Sequence, residues 1–171
     1  MVSTKTAERR KNMKITICCV GKVKESYFRA AIEEYKKRLS PYCKLEIAEV
    51  ADEKTPDKAS AALEQEILRK EGERLLKKIR EDAYVIALAI AGKSMDSVSF
   101  AKKLDQLAVQ GTSHIQFVIG GSLGLHESVL KRANMQLSFS AMTYPHQLMR
   151  VILLEQIYRS YRINSNAPYH K

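Results

Sequence analysis

The chain has 171 residues, of which 45% are hydrophobic and only seven are glycine. This length and composition predict one globular domain with a substantial core, and they argue against intrinsic disorder. The formal net charge of +10 favours a polyanionic partner, namely RNA, DNA or an acidic membrane surface, although a basic surface can also simply keep a protein in solution.

The N-terminal segment differs in character from the rest of the chain. Residues 1–12, MVSTKTAERRKN, are polar and lack the apolar centre of a secretory signal. We expect residues 1–12 to form a disordered extension and residues 13–171 to form a single domain. No run approaches the roughly 20 apolar residues that cross a bilayer. Three cysteines without a CxxC pair predict a reducing, cytoplasmic location and no structural zinc.

The first half of the domain alternates apolar runs with amphipathic segments. Cys18 and Cys19 are adjacent in the first apolar run, so their side chains would point to opposite faces of a strand and would not share a metal ion. The charged face of the long segment after residue 58 is typical of a solvated helix surface. We predict strands at residues 15–20 and 45–50, and helices at residues 25–39 and 58–80.

The second half continues the same alternation. Residues 84–90, YVIALAI, are almost continuously apolar, as in a strand covered on both faces. Strands separated by helices predict an α/β fold with a mostly parallel sheet flanked by helices. The last helix carries a broad apolar band, which favours a dimer contact, with a central position in a monomer core as the alternative. We predict strands at residues 84–90, 115–119 and 135–139, and helices at residues 97–110, 127–133 and 145–163.

A glycine-rich turn follows the predicted strand at residues 115–119, in the stretch FVIGGSLGLH. It fails the dinucleotide-binding pattern because Ser122 occupies the position of the second glycine. The stretch AIAGKS also fails the Walker A pattern, because Ala87 stands where the first glycine is required. Residues 120–124 do match the G-x-S-x-G pattern of a hydrolase nucleophile, with Ser122 as the candidate.

A small serine hydrolase is therefore a local alternative. Its catalytic histidine would be His146 or His170, but the carboxylates downstream of Ser122, which are Glu127 and Glu155, lie on predicted helices. Hydrolases of this type place the acid on a loop after a strand, and they are usually longer chains. The pattern alone is weak evidence.

Four separated segments provide a more specific indication. In order, they are MKITICCVGKVKE at residues 13–25, FVIGGSLGLH at 117–126, LSFSAMTYPHQLMRVILLEQIYR at 137–159 and PYHK at 168–171. Together they resemble the RlmH family, formerly called YbeA. Members of this family are small bacterial methyltransferases of the SPOUT class that act on ribosomal RNA. The resemblance extends from residue 13 to residue 171.

The resemblance implies a fold, a cofactor and a reaction. The fold is a SPOUT-type parallel α/β sheet whose C-terminal segment forms a trefoil knot, and the active form is a homodimer. The cofactor is S-adenosylmethionine. The reaction is methylation of N3 of a pseudouridine in large-subunit rRNA, performed on assembled ribosomes and hence in the cytoplasm. The knot rests on the resemblance alone, because nothing in hydrophobic periodicity indicates one.

The resemblance also implies a cofactor pocket. Glycines at the end of a buried strand let a ligand approach the backbone, and apolar side chains can sandwich an adenine. The same residue types also serve as ordinary core and turn residues, which is the alternative interpretation. The implied cofactor-binding residues are Leu88, Gly120, Gly121, Phe139, Ser140, Ala141, Met142, Thr143 and Tyr144.

The C-terminal tail supplies the candidate catalytic residues Arg159, Tyr169 and His170. In the RlmH family the tail lies at the active site near the dimer interface. The N3–H group of the acceptor must lose its proton, so His170 is a candidate base and Arg159 a candidate stabiliser of the anion or of a phosphate. Tyr169 is placed to stack on a base. A chain end without such a role would simply fray.

The remaining candidates are weaker. Arg150 is a further cation in the last helix, and His146 is expected to pack or hydrogen-bond structurally. His114 and His126 are weaker candidates still, and His126 lies close to the glycine turn without an evident partner. No cluster has metal-ligand spacing, so we predict no metal. The alternative function from another class is a non-catalytic basic protein that binds RNA or the ribosome.

Overall fold

The computed structural model describes residue 8 and residues 12–170. The extension predicted for residues 1–12 therefore lies almost entirely outside the described residues, as does Lys171. From residue 13 onward strands and helices alternate, as the sequence predicts. The strands are β1 (Lys14–Val20), β2 (Lys44–Val50), β3 (Tyr84–Ser94), β4 (His114–Ile119) and β5 (Met135–Ser138). The helices are α1 (Ser26–Leu39), α2 (Ala61–Leu76), α3 (Ser97–Val109), α4 (Glu127–Arg132) and α5 (His146–Asn164).

The five strands form one sheet in the order β2-β1-β4-β3-β5. Each neighbouring pair is parallel, which confirms the predicted α/β class. The carboxyl ends of parallel strands meet at the same edge, where α/β folds place their ligand sites. Strand order describes which strands are adjacent and not how the chain is threaded, so the knot stays an implication of family resemblance.

Helices cover both faces of the sheet. One core cluster joins α1, α3 and α5 to one face, and a second joins α2 and α4 to the other. Cys19 belongs to the first cluster and Cys18 to the second, so the two neighbouring side chains do point in opposite directions. Both thiols are free and buried, and burial raises the pKa of Cys18 to about 11. They serve as small core residues.

The bounds of two elements differ from the prediction by three residues or more. Helix α2 spans only Ala61–Leu76 instead of 58–80, because the Ser60 hydroxyl accepts a hydrogen bond from the Leu63 amide and caps its first turn. Strand β3 continues to Ser94, and its pairing with β5 shifts register between Leu88 and Lys93. On its other side, β3 pairs with β4 only as far as Ala87, so the carboxyl end of β3 extends beyond that pairing.

Helix α5 lies between α1 and α3. Its apolar residues Leu153, Leu154 and Ile157 are fully buried within this single chain. Packing on two helices and the sheet accounts for these three residues. Leu148, Val151 and Ile152 of the same apolar band are only half-buried, and the dimer contact stays a prediction. No helix in the described ranges is long and apolar enough to cross a membrane.

A buried histidine begins β4. His114 is only 6% exposed, and its Nε2 atom lies 2.8 Å from Oγ1 of Thr16 on β1. Burial, followed by the positive charge of Lys14, lowers the pKa of His114 from its ordinary value of 6.5. The neutral imidazole thus joins the two central strands at their amino ends.

We predict that acidification destabilises the wild-type protein more than a His114→Gln variant. Because folding lowers the pKa of His114, the neutral ring contributes to stability at pH values above its ordinary pKa of 6.5. This contribution is lost as the pH falls below that value. Glutamine can still bond to Thr16 but does not titrate. Urea unfolding at about pH 7.5 and about pH 5 measures the difference. Equal acid destabilisation of both proteins would contradict the prediction.

Candidate functional site

A cleft of about 780 Å³ opens at the carboxyl edge of the sheet, beyond the ends of β3 and β4. Leu88 of β3 forms one wall, the turn at residues 120–124 forms another, and the segment at residues 139–146 closes the third side. This volume is within the usual range for small-ligand pockets, which are mostly apolar with a few polar groups that orient the ligand.

The sequence-predicted cofactor residues meet at this cleft. Ala141 is the exception, because it is exposed at the tip of the loop and does not line the cavity. Sequence reasoning did not assign the other lining residues to the cofactor, among them Leu125, Leu130, His146 and Met149. Leu125 lies within the glycine-rich stretch, whereas the last three are brought in by α4 and α5. The predicted residues that line the cleft are Leu88, Gly120, Gly121, Phe139, Ser140, Met142, Thr143 and Tyr144.

The glycine turn is tight. The Gly124 amide donates to the Gly121 carbonyl over 3.1 Å, and Gly124 has a φ of +86°, which favours glycine. A Cβ atom on Gly120 would overlap the carbonyl of Gly124. The missing Cβ at position 120 is therefore required by the turn itself, and its role in admitting a ligand stays a prediction. The turn then presents backbone to the cleft.

The opposite loop is held by two serine hydroxyls. Ser138 donates to the Ser140 carbonyl over 3.2 Å, and the Ser140 hydroxyl accepts from the Met142 amide over 2.9 Å. The Met142 side chain is 72% exposed and Tyr144 is 37% exposed. The loop therefore has a fixed base and presents apolar side chains at the rim of the cleft.

Arg150 fixes the start of α5 against the same edge of the sheet. It is 1% exposed, and it donates to Oε2 of Glu49 over 2.7 Å. Its other terminal nitrogen donates to the carbonyls of Val20 and Gly21 over 2.9 and 2.6 Å. Although Arg150 is a candidate cation from the sequence, both terminal nitrogens of its guanidinium bond within the fold, and its Nε atom is buried without a hydrogen-bond partner in the described part of the chain.

His146 lies on the wall of the cleft at the first residue of α5. A Cβ atom on Gly21 would lie 3.8 Å from its Nε2 atom, so the ring packs against the turn that follows β1. Burial, followed by the charge of Arg150, lowers the pKa of His146 from 6.5. The neutral ring fits the packing role expected from the sequence and also contributes to the lining.

The tail residues form a cluster around Glu155. Oε1 of Glu155 accepts from Arg159 over 2.6 Å and from the Tyr169 hydroxyl over 3.2 Å. The Arg159 guanidinium lies 4.8 Å from the Tyr169 ring centroid, a cation–π contact. Burial, with a further contribution from Glu155, raises the pKa of Tyr169 to about 12. Sequence reasoning considered Glu155 only as a hydrolase carboxylate and missed its pairing with Arg159, although a spacing of four residues is a recognisable helix pair.

His170 joins this cluster through a 3.2 Å contact between its Nδ1 atom and Nη1 of Arg159. Because a guanidinium only donates, Nδ1 must accept, and the neutral ring then carries its proton on Nε2. His170 therefore presents a donor to its surroundings in this arrangement.

The tail cluster and the cleft are neighbours but not one cavity. His170 lines a second cavity of about 540 Å³ with Asp96 and Gln156. Leu137 and Phe139 line both cavities, so this part of the chain separates them. The structure brings Arg159, Tyr169 and His170 together. Phe139 lies between the cavity that His170 lines and the cleft that the glycine turn lines.

The hydrolase alternative lacks its geometry. Ser122 is exposed on the turn, and α4 begins only at Glu127, so the serine does not lie at a strand-to-helix elbow. His126, which has no evident partner in the sequence, has its Nδ1 atom 2.8 Å from the Ser128 hydroxyl and caps α4. Within residues 12–170, no group of three or more metal-ligating side chains is arranged to hold a metal ion.

Comparison with known proteins gives consistent matches over nearly the whole chain. The model of a family described as "Predicted SPOUT methyltransferase" matches residues 13–170. Proteins named ribosomal RNA large subunit methyltransferase H match from Bifidobacterium adolescentis (65% identity over 159 residues) and Bifidobacterium animalis subsp. lactis (61% over 159 residues). A protein of that name from Clostridioides difficile matches with 58% identity over 160 residues. Each match covers 93% of this chain and 100% of the relative.

The cleft fits S-adenosylmethionine, the cofactor that such a family uses. Leu88, Leu125 and Met149 offer apolar surface that suits the faces of an adenine ring. The backbone of the glycine turn and of the loop at residues 139–144 borders the same cavity, where amides and carbonyls can bond to the polar edges of a ligand. The volume of about 780 Å³ accommodates a nucleoside with an amino acid attached.

We predict that Gly120→Ala weakens S-adenosylmethionine binding by about tenfold or more. The added methyl group overlaps the Gly124 carbonyl, so the turn must move. Movement away from an overpacked position costs about 1–3 kcal/mol of free energy. Calorimetric titration measures the affinity.

The matched control is Gly111→Ala. Gly111 also has a positive φ, of +96°, but no atom lies within 4 Å of an added Cβ, and it is remote from the cleft. This variant should lose about 1 kcal/mol of stability through backbone strain while its affinity stays unchanged. Equal affinity losses in both variants would refute a specific role for the turn at residues 120–124.

Proposed function

The chain belongs to the SPOUT methyltransferase family, and we propose that it methylates large-subunit ribosomal RNA with S-adenosylmethionine as methyl donor. The relatives described above carry this RNA in their name and are matched over their full length. The observation that carries the proposal is the cleft at the carboxyl edge of the sheet, bordered by the glycine turn and the loop at residues 139–144.

The cofactor supplies a methyl group that is already activated by a positively charged sulfur, so the protein's main task is alignment. In this proposal Leu88 and Phe139 hold the adenine between apolar surfaces. The backbone at Gly120 and Gly121 limits how far the ligand enters the cleft. Met142 and Tyr144, at the rim, limit the access of water to the reacting atoms.

The proposed acceptor is N3 of a pseudouridine, as in the RlmH family that the sequence resembles. N3 carries a proton that must leave before the nitrogen can accept a methyl group, and the ring then becomes anionic. The Arg159 guanidinium, held by Glu155, is a fixed positive charge that would stabilise this anion. Tyr169 would stack on the base.

His170 serves this reaction as a hydrogen-bond donor rather than as the base. Its Nδ1 atom faces Arg159, so its Nε2–H group is free to donate to an oxygen of the pyrimidine ring and favour loss of the N3 proton to solvent. This assignment chooses between the two roles that the sequence leaves open.

The net charge of +10 supports a ribosomal substrate, because positive charge accelerates and strengthens binding to RNA. We propose that the assembled ribosome is the substrate, which also places the enzyme in the cytoplasm. We further propose a homodimer, since the tail cluster and the cleft lie in separate cavities of one protomer and the RlmH family is dimeric.

We predict that the purified protein transfers labelled methyl groups from S-adenosylmethionine to unmodified ribosomes, and does so better than to isolated large subunits or free large-subunit rRNA. Nuclease digestion and mass spectrometry then locate one methyl group on a pseudouridine, and arrest of reverse transcription at that nucleotide indicates the N3 position. A folded protein that binds ribosomes but transfers no methyl group would support the non-catalytic alternative instead.

We also predict that Arg159→Lys lowers the methyl-transfer rate by about 100-fold, because lysine cannot reproduce the paired contacts to Glu155 and the charge towards the substrate. His170→Gln, which keeps a donor, should lose less activity than His170→Ala. Single-turnover rates on ribosomes measure both effects.

The affinity for S-adenosylmethionine is the control for these variants, since the tail does not line the cleft and the affinity should stay at the wild-type value. If His170→Gln is as inactive as His170→Ala, the donor role of His170 is wrong.

A further inference from the structure

Glu71 of α2 is a buried acid that the chemistry above does not use. It is 4% exposed. Its Oε1 atom accepts a hydrogen bond from the Glu53 amide over 3.0 Å, whereas its Oε2 atom is buried with no hydrogen-bond partner in the described part of the chain. An unpaired buried carboxyl oxygen is costly and therefore calls for a physical explanation.

The unpaired oxygen faces the glycine turn from below. A Cβ atom added to Gly121 would lie 3.0 Å from Oε2 of Glu71 and 3.4 Å from Oε1. The next residue of α2, Gly72, packs just as closely, because its Cβ would lie 2.9 Å from Cβ of His126. Helix α2 thus packs against both ends of the segment at residues 121–126. Only Gly121, which lines the cleft, lies between the cleft and the Glu71 carboxyl.

In the part of the chain that the structure describes, no cation forms a direct ion pair with Glu71. Arg74, the nearest cation on α2, donates instead to Glu53 over 2.7 Å and to the Ala51 carbonyl over 2.9 Å. Burial raises the pKa of Glu71 above its ordinary value, and the negative charge of Asp52 adds to this shift. The titratable and charged groups around the turn are Asp52, Glu53, Arg74, His126, His146 and Arg150.

We propose that Glu71 selects the charge of the ligand from beneath Gly121, so that the cleft binds a cationic ligand more tightly than a neutral ligand of the same shape. The inference rests on the proposed function. S-adenosylmethionine carries a positive sulfonium, whereas its demethylated product, S-adenosylhomocysteine, has a neutral thioether. A carboxylate in the poorly screened interior distinguishes the two, and it thereby favours release of the product after transfer.

The effect has a defined pH dependence. A bound cation favours the ionised form of Glu71, so the preference for S-adenosylmethionine grows as the pH rises and Glu71 ionises. His146 acts in the same direction, because its protonation at low pH repels a cation from the cleft wall. The two contributions are separated by substituting each residue in turn.

The experiment is calorimetric titration of the full chain with both ligands between about pH 5.5 and about pH 8.5. The quantity compared is the ratio of the S-adenosylhomocysteine Kd to the S-adenosylmethionine Kd, in which the shared amino and carboxylate groups of the ligands cancel. In the wild type we expect this ratio to rise about tenfold with pH.

The variants assign the effect to one residue. The rise should be clearly reduced in Glu71→Gln, which keeps only the contribution of His146, and most of it should persist in His146→Gln. Glu73→Gln, an exposed position on the same helix, is the matched control and should keep the full rise. If Glu71→Gln does not fold, the wild-type and His146→Gln titrations still decide, because a ratio independent of pH in either one overturns the proposal.

Different results would overturn the role of Glu71 and the methyltransferase function. Binding of S-adenosylmethionine with a flat ratio in the wild type, or with an undiminished rise in Glu71→Gln, overturns the role of Glu71 and leaves the methyltransferase function in place. Absence of S-adenosylmethionine binding by the folded wild-type protein overturns both.

Discussion

The buried guanidinium of Arg150 is the constraint on which the arrangement of the site depends. A buried cation without partners would cost several kcal/mol, so its bonds to Glu49 and to the carbonyls of Val20 and Gly21 must form together. They join the carboxyl ends of β1 and β2 to the first turns of α5. Because α5 begins at His146, the preceding loop is thereby fixed over the edge of the sheet.

The cleft follows from this attachment. The loop at residues 139–144 faces the turn at residues 120–124 across the cavity, and Glu71 lies beneath Gly121. The lining is therefore apolar over most of its surface, with backbone at its borders and one buried carboxyl below. Such a surface suits a ligand with a flat heteroaromatic ring and a positively charged sulfur, and S-adenosylmethionine has both.

The sequence predicts the order of the elements and the parallel sheet, because hydrophobic periodicity is a local property of the chain. It likewise predicts the opposite directions of Cys18 and Cys19. It does not reveal the role of Arg150, whose partners lie more than 100 residues away, or the contact between Glu71 and Gly121. The cofactor and catalytic residues came from resemblance, and composition alone would leave them indistinguishable from core and tail residues.

The most direct test of the account is a titration of isotopically labelled protein with S-adenosylmethionine, followed by the backbone amide resonances in two-dimensional NMR spectra. The account predicts that the largest shifts occur at Gly120, Gly121 and residues 139–144, while the amides at the amino ends of the strands, near His114, stay unchanged. Saturable shifts that leave the glycine turn and this loop unaffected would contradict the assignment of the cleft.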